Sequence, residues 1–333
     1  MSGSEITLPL EMMFSKSAID SPALPNSVLN RQQSDRFIDL VINYSVLLQR
    51  IRVRRVDHPK GEINKLNLGS IVTEGANSTS TATTRIPSES LVPYDMEKYR
   101  SAFDIKTDFL EDNIEKANVR DKILEMFTKR IAIDTEMAAI EGDDSLAVGD
   151  GQTDENNLLG VNDGFRQLLL DNVPGGQQLD VSGAAPSKAM YYAMRRLIPS
   201  RFRVARPQYV FISSSGPVDK WMLDWSNRVT EGGDAVLATG LKPGPFGTPM
   251  LEVPLMPEDL TFGSAGTDGS EVWLTPLDNL IYFIQRDITI EFERKPRNDA
   301  WEATIHFRVD FAVEDPTMVV IAKNISLSGS DYA

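Results

Sequence analysis

The 333-residue chain contains no cysteine and two histidines, His58 and His306, so whatever chemistry it performs must be carried by carboxylates, hydroxyls and guanidinium groups. Without thiolates there is no disulfide framework, no thiolate metal site and no sulfur nucleophile. The densest carboxylates are Asp143, Asp144, Asp150, Asp154 and Glu155, in the run GDDSLAVGDGQTDENN. Such oxygens could hold a hard cation such as calcium. Their spacing sets no glutamate at the end of a twelve-residue frame, however, and a polar turn after a helix is the simpler account. Paired carboxylates could also hydrolyse glycosides, but no phrase marks such a pair. Gly-x-Ser-x-Gly, a phosphate loop and His-Glu-x-x-His are all absent, which leaves nucleophilic, nucleotide and zinc chemistry without an anchor. We expect no enzymatic activity, no cofactor and no bound metal.

The guanidinium groups are better organised. In SVLLQRIRVRRV, Arg50, Arg52 and Arg54 alternate with Ile51 and Val53, so a strand would show arginines on one face and aliphatic groups on the other. Arg55 extends the run, and Arg195 and Arg196 form a second pair. Arginine suits bidentate pairing with carboxylates, so these six are candidate contacts to a neighbouring copy of the chain. The bland alternative is a solvated face, where an ion pair typically contributes only about 0–1 kcal/mol.

Those groups sit in a chain with 48 acidic against 34 basic residues, a net charge of -14, which opposes a sequence-independent grip on nucleic-acid backbones. An apolar fraction of 41% is enough to build a core. The opening MSGSEITLPLEMMFSKSAID carries Glu5 and Glu11 and lacks a continuous apolar segment, making it a poor secretory signal. No run reaches the roughly 18 apolar residues of a membrane span, so no membrane partner is expected.

The elements that must position the arginines can be read from periodicity. Residues 1–26 read as an extended arm, and residues 30–44 as a short amphipathic helix. Between residues 57 and 107 the flanks INKLNL and FDIKTDF alternate around the polar tract TEGANSTSTATTR, which predicts a long hairpin with a Ser/Thr-rich tip. Asp108 and Glu111 then open a helix that Gly142 should close, with Val119, Ile123, Met126, Ile133, Met137 and Ile140 as its apolar stripe, interrupted at Arg130 and widened by Leu124, Phe127 and Ile131. At about 33 residues it would be roughly 50 Å long, more than a compact domain of this size is wide.

Downstream, SKAMYYAMRRLI predicts a helix capped by Ser187, QYVFIS a buried strand and PVDKWMLDWSN a helix opened by Pro217. A Gly/Pro-rich loop and strand-like runs at MLEVPLM and EVWLTP follow. In the last fifty residues, Ile288, Ile290 and Phe292 alternate with polar residues, as do Trp301, Ala303, Ile305, Phe307, Val309 and Phe311. The two runs should pair across KPRNDA, before Asp315-Pro316 interrupts and VVIAK resumes.

The order of these elements, an arm, a short helix, a basic strand, a projecting hairpin, a very long helix, an acidic loop and a mixed domain with a closing sheet, resembles the Hong Kong 97-type major capsid proteins of tailed phages. The phrases MAAIEGDD leading to NLLGVNDG, PQYVFISSSGPVDKWMLD, FGTPMLEVPLMP and the tail ITIEFERKPRNDAWEATIHFRVDFAVEDPTMVVIAK are similar to the corresponding phrases of that family. The resemblance runs from about residue 30 to residue 323. It implies an α+β fold of five parts: an N-terminal arm with short helix and basic strand (1–56), an extended hairpin loop (57–107), a peripheral domain with the spine helix (108–182), an axial domain (183–285) and a closing sheet (286–333).

It further implies a major capsid protein assembling with itself, as hexamers and pentamers, into an icosahedral shell around double-stranded DNA. A portal would be a partner, together with a separate scaffolding or decoration protein, since only about 30 residues precede the first helix. Residues 66–97 contain no lysine, which argues against covalent crosslinking through the hairpin. The shell would form in the host cytoplasm and end in the virion. Three alternatives stay open: an encapsulin-type nanocompartment shell, in a different class an acidic carboxylate-pair hydrolase, and a tail-tube or baseplate protein, which would form rings or rods.

Overall fold

The structure, a computed structural model, describes residues 26–28, 41–42, 44–67, 88–106, 119–226, 244–262, 266–285, 289–295, 297 and 299–327. The expected arm before residue 26, most of the first helix, the polar hairpin tip, the Asp108/Glu111 cap and most of the Gly/Pro-rich loop lie outside these residues. In chain order, β1 (Asn26–Val28) is followed by β2 (Arg52–Val56), β3 (Lys60–Asn67), β4 (Ser88–Asp95), β5 (Glu97–Lys106) and the long helix α1 (Val119–Glu141). Then come α2 (Asp154–Leu159), α3 (Phe165–Asn172), β6 (Gln178–Asp180), α4 (Lys188–Leu197), β7 (Tyr209–Ser213) and α5 (Ser215–Ser226). The chain finishes with β8 (Met250–Glu252), β9 (Leu260–Phe262), β10 (Gly266–Pro276), β11 (Leu280–Gln285), β12 (Thr289–Lys295), β13 (Ala300–Val313) and β14 (Val320–Ser326).

Among the described residues these strands form two mixed sheets and a separate hairpin. The first sheet runs β1-β12-β13-β11-β2, with β5 on the other side of β13; the second runs β6-β14-β10-β7-β8, with β9 also on β10. β13 is the organising strand of the first sheet. Ala303, Ile305, Phe307, Val309 and Phe311 are buried and the residues between them are not, so the period-two pattern sets which face meets the core. β12 pairs with it antiparallel across the predicted turn, Ile290 opposite Ile305 and Lys295 opposite Ala300.

The hairpin differs from its expected pairing. β3 does pair antiparallel with a return strand, but that partner is SESLVPYD of β4, with Ile63 opposite Val92. The FDIK run lies in β5 and pairs with β13. Alternation alone cannot choose between two adjacent return strands. Burial does: Tyr99 and Phe103 share one face of β5, stacking on Phe307 and Phe127, and a projecting arm would leave both rings in water. The hairpin base packs on its own subunit, where Val92 and Met96 meet Ile281, Phe283 and Ala312 and the Tyr94 ring stacks on Phe283 at 4.8 Å. β11 is therefore covered on both faces, and all six of its residues are buried.

In α1 the predicted stripe meets the core only in part: its Ile140 and the flanking Ile131 are buried and Met137 is half-buried. Thr128, Ile131, Ala132, Thr135, Glu136 and Ala139 form the buried row at helical spacing, while Met126 and Ile133 are exposed. Small side chains let the helix lie close to the turn at residues 45–48, and the polar ones are satisfied locally. Thr135 Oγ1 donates to the Ile131 carbonyl at 2.7 Å. The Glu136 carboxylate accepts the amides of Val46 at 2.9 Å and of Leu47. Burial raises the pKa of Glu136 above the ordinary carboxylate range, and the two amides oppose that shift. At the end of α1, Gly142 admits the LGVNDG phrase. A Cβ there would stand 2.3 Å from the Asn162 carbonyl, and the Gly164 amide donates to the Gly142 carbonyl at 2.8 Å.

The predicted helices α4 and α5 and the strand β7 are present. Ser187 accepts the Met190 amide as the cap of α4, and α5 begins two residues ahead of Pro217, at Ser215. Sheet membership departs from the expected 183–285 and 286–333 ranges. β11 belongs to the first sheet, while β14 and β6 pair within the second. One continuous core joins the sheets, bringing Ile212, Trp273 and Ile321 together with Phe165, Tyr282 and Phe311.

Candidate assembly surfaces

The candidate arginines fall on two separate parts of the molecule. Arg50 is not on the basic strand; it closes a turn in which its amide donates to the Leu47 carbonyl at 2.9 Å. The turn forms because Glu136 captures the preceding amides, which the local alternation could not foretell. Arg52 lies on β2 and pairs with Glu314 of its own chain. Lys65 of β3 approaches Asp315 at 3.5 Å, so these groups bind the basic strand and the hairpin base to the turn after β13. Arg54 is exposed, and Arg55 is half-buried on the other face of the strand. Among the described residues β2 pairs at one side only, parallel to β11.

Arg195 and Arg196 lie in the last turn of α4, where cations complement the helix dipole. Arg195 donates to the Phe246 carbonyl at 2.8 Å, and its guanidinium sits 5.6 Å from that ring. Arg196 is exposed and lies over Tyr192 at 6.0 Å. Tyr192 and Phe246 are themselves exposed aromatics; sequence reading passed over Tyr192 because an aromatic residue in an amphipathic helix normally points inward, and over Phe246 because it stands in the Gly/Pro-rich loop before β8.

The loop carboxylates are drawn together only in part. Asp143 and Asp144 converge with Asp163, a residue from the loop between α2 and α3 that the sequence reading had not grouped with them, while Asp150, Asp154 and Glu155 stand apart. Asp163 accepts the Asp144 amide at 3.0 Å, and Asp143 accepts the Ser145 amide at 2.9 Å. These are the bonds of a polar turn, and burial together with the charges of Asp143 and Asp144 raises the pKa of Asp163.

Two open grooves flank β5. One, of about 940 Å³ at the hairpin base, is lined by Glu62, Asp95, Glu97, Asp144, Asp163 and Asp310, and by Lys60. Lys60 pairs with Asp95 at 2.6 Å. The other, of about 570 Å³, sets Lys98, Arg100 and His306 against Asp150 and Asp154. His306 is half-buried on the polar side of β13, and burial, Lys98 and Arg100 depress its pKa.

Asp310 accepts the Asp95 amide at 2.8 Å, yet burial carries its pKa up to about 6. Glu141, at the end of α1, is pushed to about 7 by burial and by Asp259. A carboxyl group whose pKa is raised by folding favours the folded state at low pH, and that contribution is lost as pH rises through the folded value. We therefore expect these two groups to make the subunit more stable near pH 5 than near pH 8. Both remain partly hydrated, so each is worth on the order of 1 kcal/mol. Urea denaturation at the two pH values checks this, and Asp310→Asn should flatten the dependence. A wild-type midpoint that climbs steadily between pH 5 and pH 8, with no change in slope in Asp310→Asn, would count against it.

α1 also presents exposed apolar groups, Met126 and Ile133, close to the exposed Tyr44 and Val46 segment. Tyr44 donates to Glu125 at 3.4 Å, and the Lys129 ammonium lies 5.0 Å from its ring.

No protein-family model matches the sequence. The chain is 25% identical over 296 residues, 88% of its length and 91% of the relative's, to YqbE of Bacillus subtilis (strain 168), named as a prophage capsid protein. It superposes with a TM-score of 0.67 and 17% identity on a chain of the satellite phage P4 procapsid including size determination (Sid) protein, covering 96% of this chain and 100% of that one. Against the SrpI encapsulin complex of Synechococcus elongatus PCC 7942 the TM-score is 0.53 at 11% identity, covering 85% and 88%. The separate two-stranded hairpin, the long helix, the two sheets and these superpositions agree: the chain has the Hong Kong 97-type capsid fold of tailed-phage major capsid proteins.

Proposed function

We propose that this chain is a major capsid protein that assembles with itself into an icosahedral shell around double-stranded DNA and resides in the virion. The observation that carries the reading is the near end-to-end superposition on a procapsid chain, joined to sequence identity spread over most of a prophage capsid relative. Function in a shell is association, in which many modest contacts are summed over copies. A separate two-stranded hairpin and a long helix with exposed apolar groups are features suited to that. Hexamers and pentamers in one lattice, assembly in the host cytoplasm, a portal and a separate scaffolding or decoration protein belong to the same proposal, as do the axial role of the second sheet and the peripheral role of the first. The charge of -14 would also limit adhesion of the packaged genome to the wall.

An encapsulin-type shell is the second reading, favoured by the shared fold; its lower superposition score and the phage relative place it behind. No group-transfer role is proposed, because Asp310 and Lys60 in the larger groove are already held by an amide and an ion pair. Negative-stain microscopy of purified particles, with nuclease protection, tests the proposal. Closed shells holding nuclease-resistant DNA are expected. Shells filled with protein and free of DNA would transfer support to the encapsulin reading, and a small monodisperse species that turns over glycans would support a hydrolase.

A further inference from the structure

Charge is divided within the second sheet and its helices. Residues 181–218 contain six cations, Lys188, Arg195, Arg196, Arg201, Arg203 and Arg206, and no aspartate or glutamate, in a chain whose overall charge is -14. Residues 219–271 reverse this, with nine carboxylates against three cations. The strand order β6-β14-β10-β7-β8 spreads the division across the surface. α4 packs over β14 and α5 over β8, so the basic and the acidic helix lie toward opposite edges of one sheet. Both bury their inner faces in the same core, through Tyr191, Met194 and Trp221, and each is left with an outer face.

The outer face of α4 has the composition of a binding hot spot, in which tyrosine and arginine are enriched. Tyr192 is 53% exposed and Phe246 is 48% exposed, and their rings are 5.8 Å apart. Arg195 is fixed over Phe246 and Arg196 lies over Tyr192, which orders side chains that would otherwise lose freedom on binding. Phe246 is held with φ of +53°, a left-handed conformation disfavoured for a residue with a Cβ, in a position that leaves its ring in water. The outer face of α5 carries Asp219 and Leu223, four residues apart and both exposed. The exposed Glu258 stands at the same helix's start, accepting the Gly216 amide at 2.7 Å. The exposed charges beside the two faces are thus opposite in sign: Arg196 beside Tyr192 on one, and Asp219 and Glu258 on the other.

We infer that the Tyr192–Arg196–Phe246 face of one copy docks on the Asp219–Leu223–Glu258 face of the next copy, head to tail. Two different faces of one subunit make a heterologous contact, the kind that closes into rings. The charges steer the encounter and reject like-with-like pairing, while the aromatic groups and Leu223 supply apolar burial. This rests on the proposal that the chain forms a shell, and names the surfaces that join copies.

The test uses the full chain, with association followed by sedimentation velocity and mass photometry at low and high salt. Arg196→Glu and Asp219→Arg, each alone, should raise the concentration needed for assembly by about 10-fold or more, in line with the cost of a like-charge contact. The two reversals in one chain should bring it back close to the wild-type value. Arg196→Lys should assemble, and Arg54→Glu, on the other sheet, should have no comparable effect. Thermal melts of every variant should coincide with the wild type, since these side chains are exposed. Single reversals that assemble normally, a double reversal that stays impaired, or equal damage from Arg54→Glu would each overturn the inference. If the wild type itself forms no closed particle, the shell proposal fails; wild-type shells accompanied by normal single variants remove only the docking faces.

Discussion

Arg166→Ala is expected to destabilise the folded subunit by about 3 kcal/mol, the lower end of the cost of stripping a buried ion pair of one partner. Arg166 lies on α3, against the first sheet, and reaches Glu271 of β10 in the second with Nε at 3.2 Å and Nη2 at 3.1 Å from one carboxylate oxygen. The Glu271 side chain is 5% exposed, and its other oxygen accepts the Trp273 indole N–H at 3.4 Å. Losing the guanidinium leaves a buried carboxylate with, among the described residues, the Trp273 indole as its side-chain donor. Arg166→Met combined with Glu271→Leu should recover most of the loss, because replacing both members of a buried pair with apolar groups is often close to neutral. Urea denaturation of the three variants measures this. An Arg166→Ala midpoint indistinguishable from the wild type would mean that the two sheets are joined by Trp273, Phe165 and their neighbours alone.

A hairpin shortened at its base should fold and fail to assemble. Ile63 and Val92 are paired, so Asn-Gly can replace residues 64–91 as a two-residue turn of the type that matches strand twist. Val92, Met96 and the Tyr94–Phe283 stack stay in place, which should hold the stability change to about 1 kcal/mol, within the range of substitutions that spare the core. Assembly is a sum of many contacts over each subunit, and removing the hairpin takes one from every copy at once. Closed particles should disappear in micrographs at concentrations where the wild type forms them. Shells formed normally by the shortened chain would remove the hairpin from the assembly argument.

Local chemistry was legible residue by residue. The alternation in β13, the Ser187 cap of α4, the buried YVFIS strand and the β12–β13 turn follow from periods and caps that act over a few positions. Glu136 shows where such reading stops. A glutamate within an amphipathic helix looks like surface, but here it faces inward because two amides from a turn some ninety residues earlier come to meet it. The same turn removes Arg50 from the strand its spacing suggested. Among the assembly candidates, Arg195 and Arg196 could be named from the sequence, but not their aromatic partners Tyr192 and Phe246, nor the acidic face across the sheet, which depends on strand order.

The sequence by itself determined the element types, the inward faces of the alternating strands, the absence of sulfur chemistry and a succession of phrases similar to one capsid fold. Only the tertiary structure decided which strand returns the hairpin, which face of α1 is buried, that β14 leaves the first sheet for the second, and that the basic and acidic helices lie toward opposite edges. The physical reason is range. Caps, turns and periodicity are set by neighbours in the chain, whereas pairing and burial are won by whichever distant segments together remove the most apolar surface from water and leave the fewest polar groups without partners.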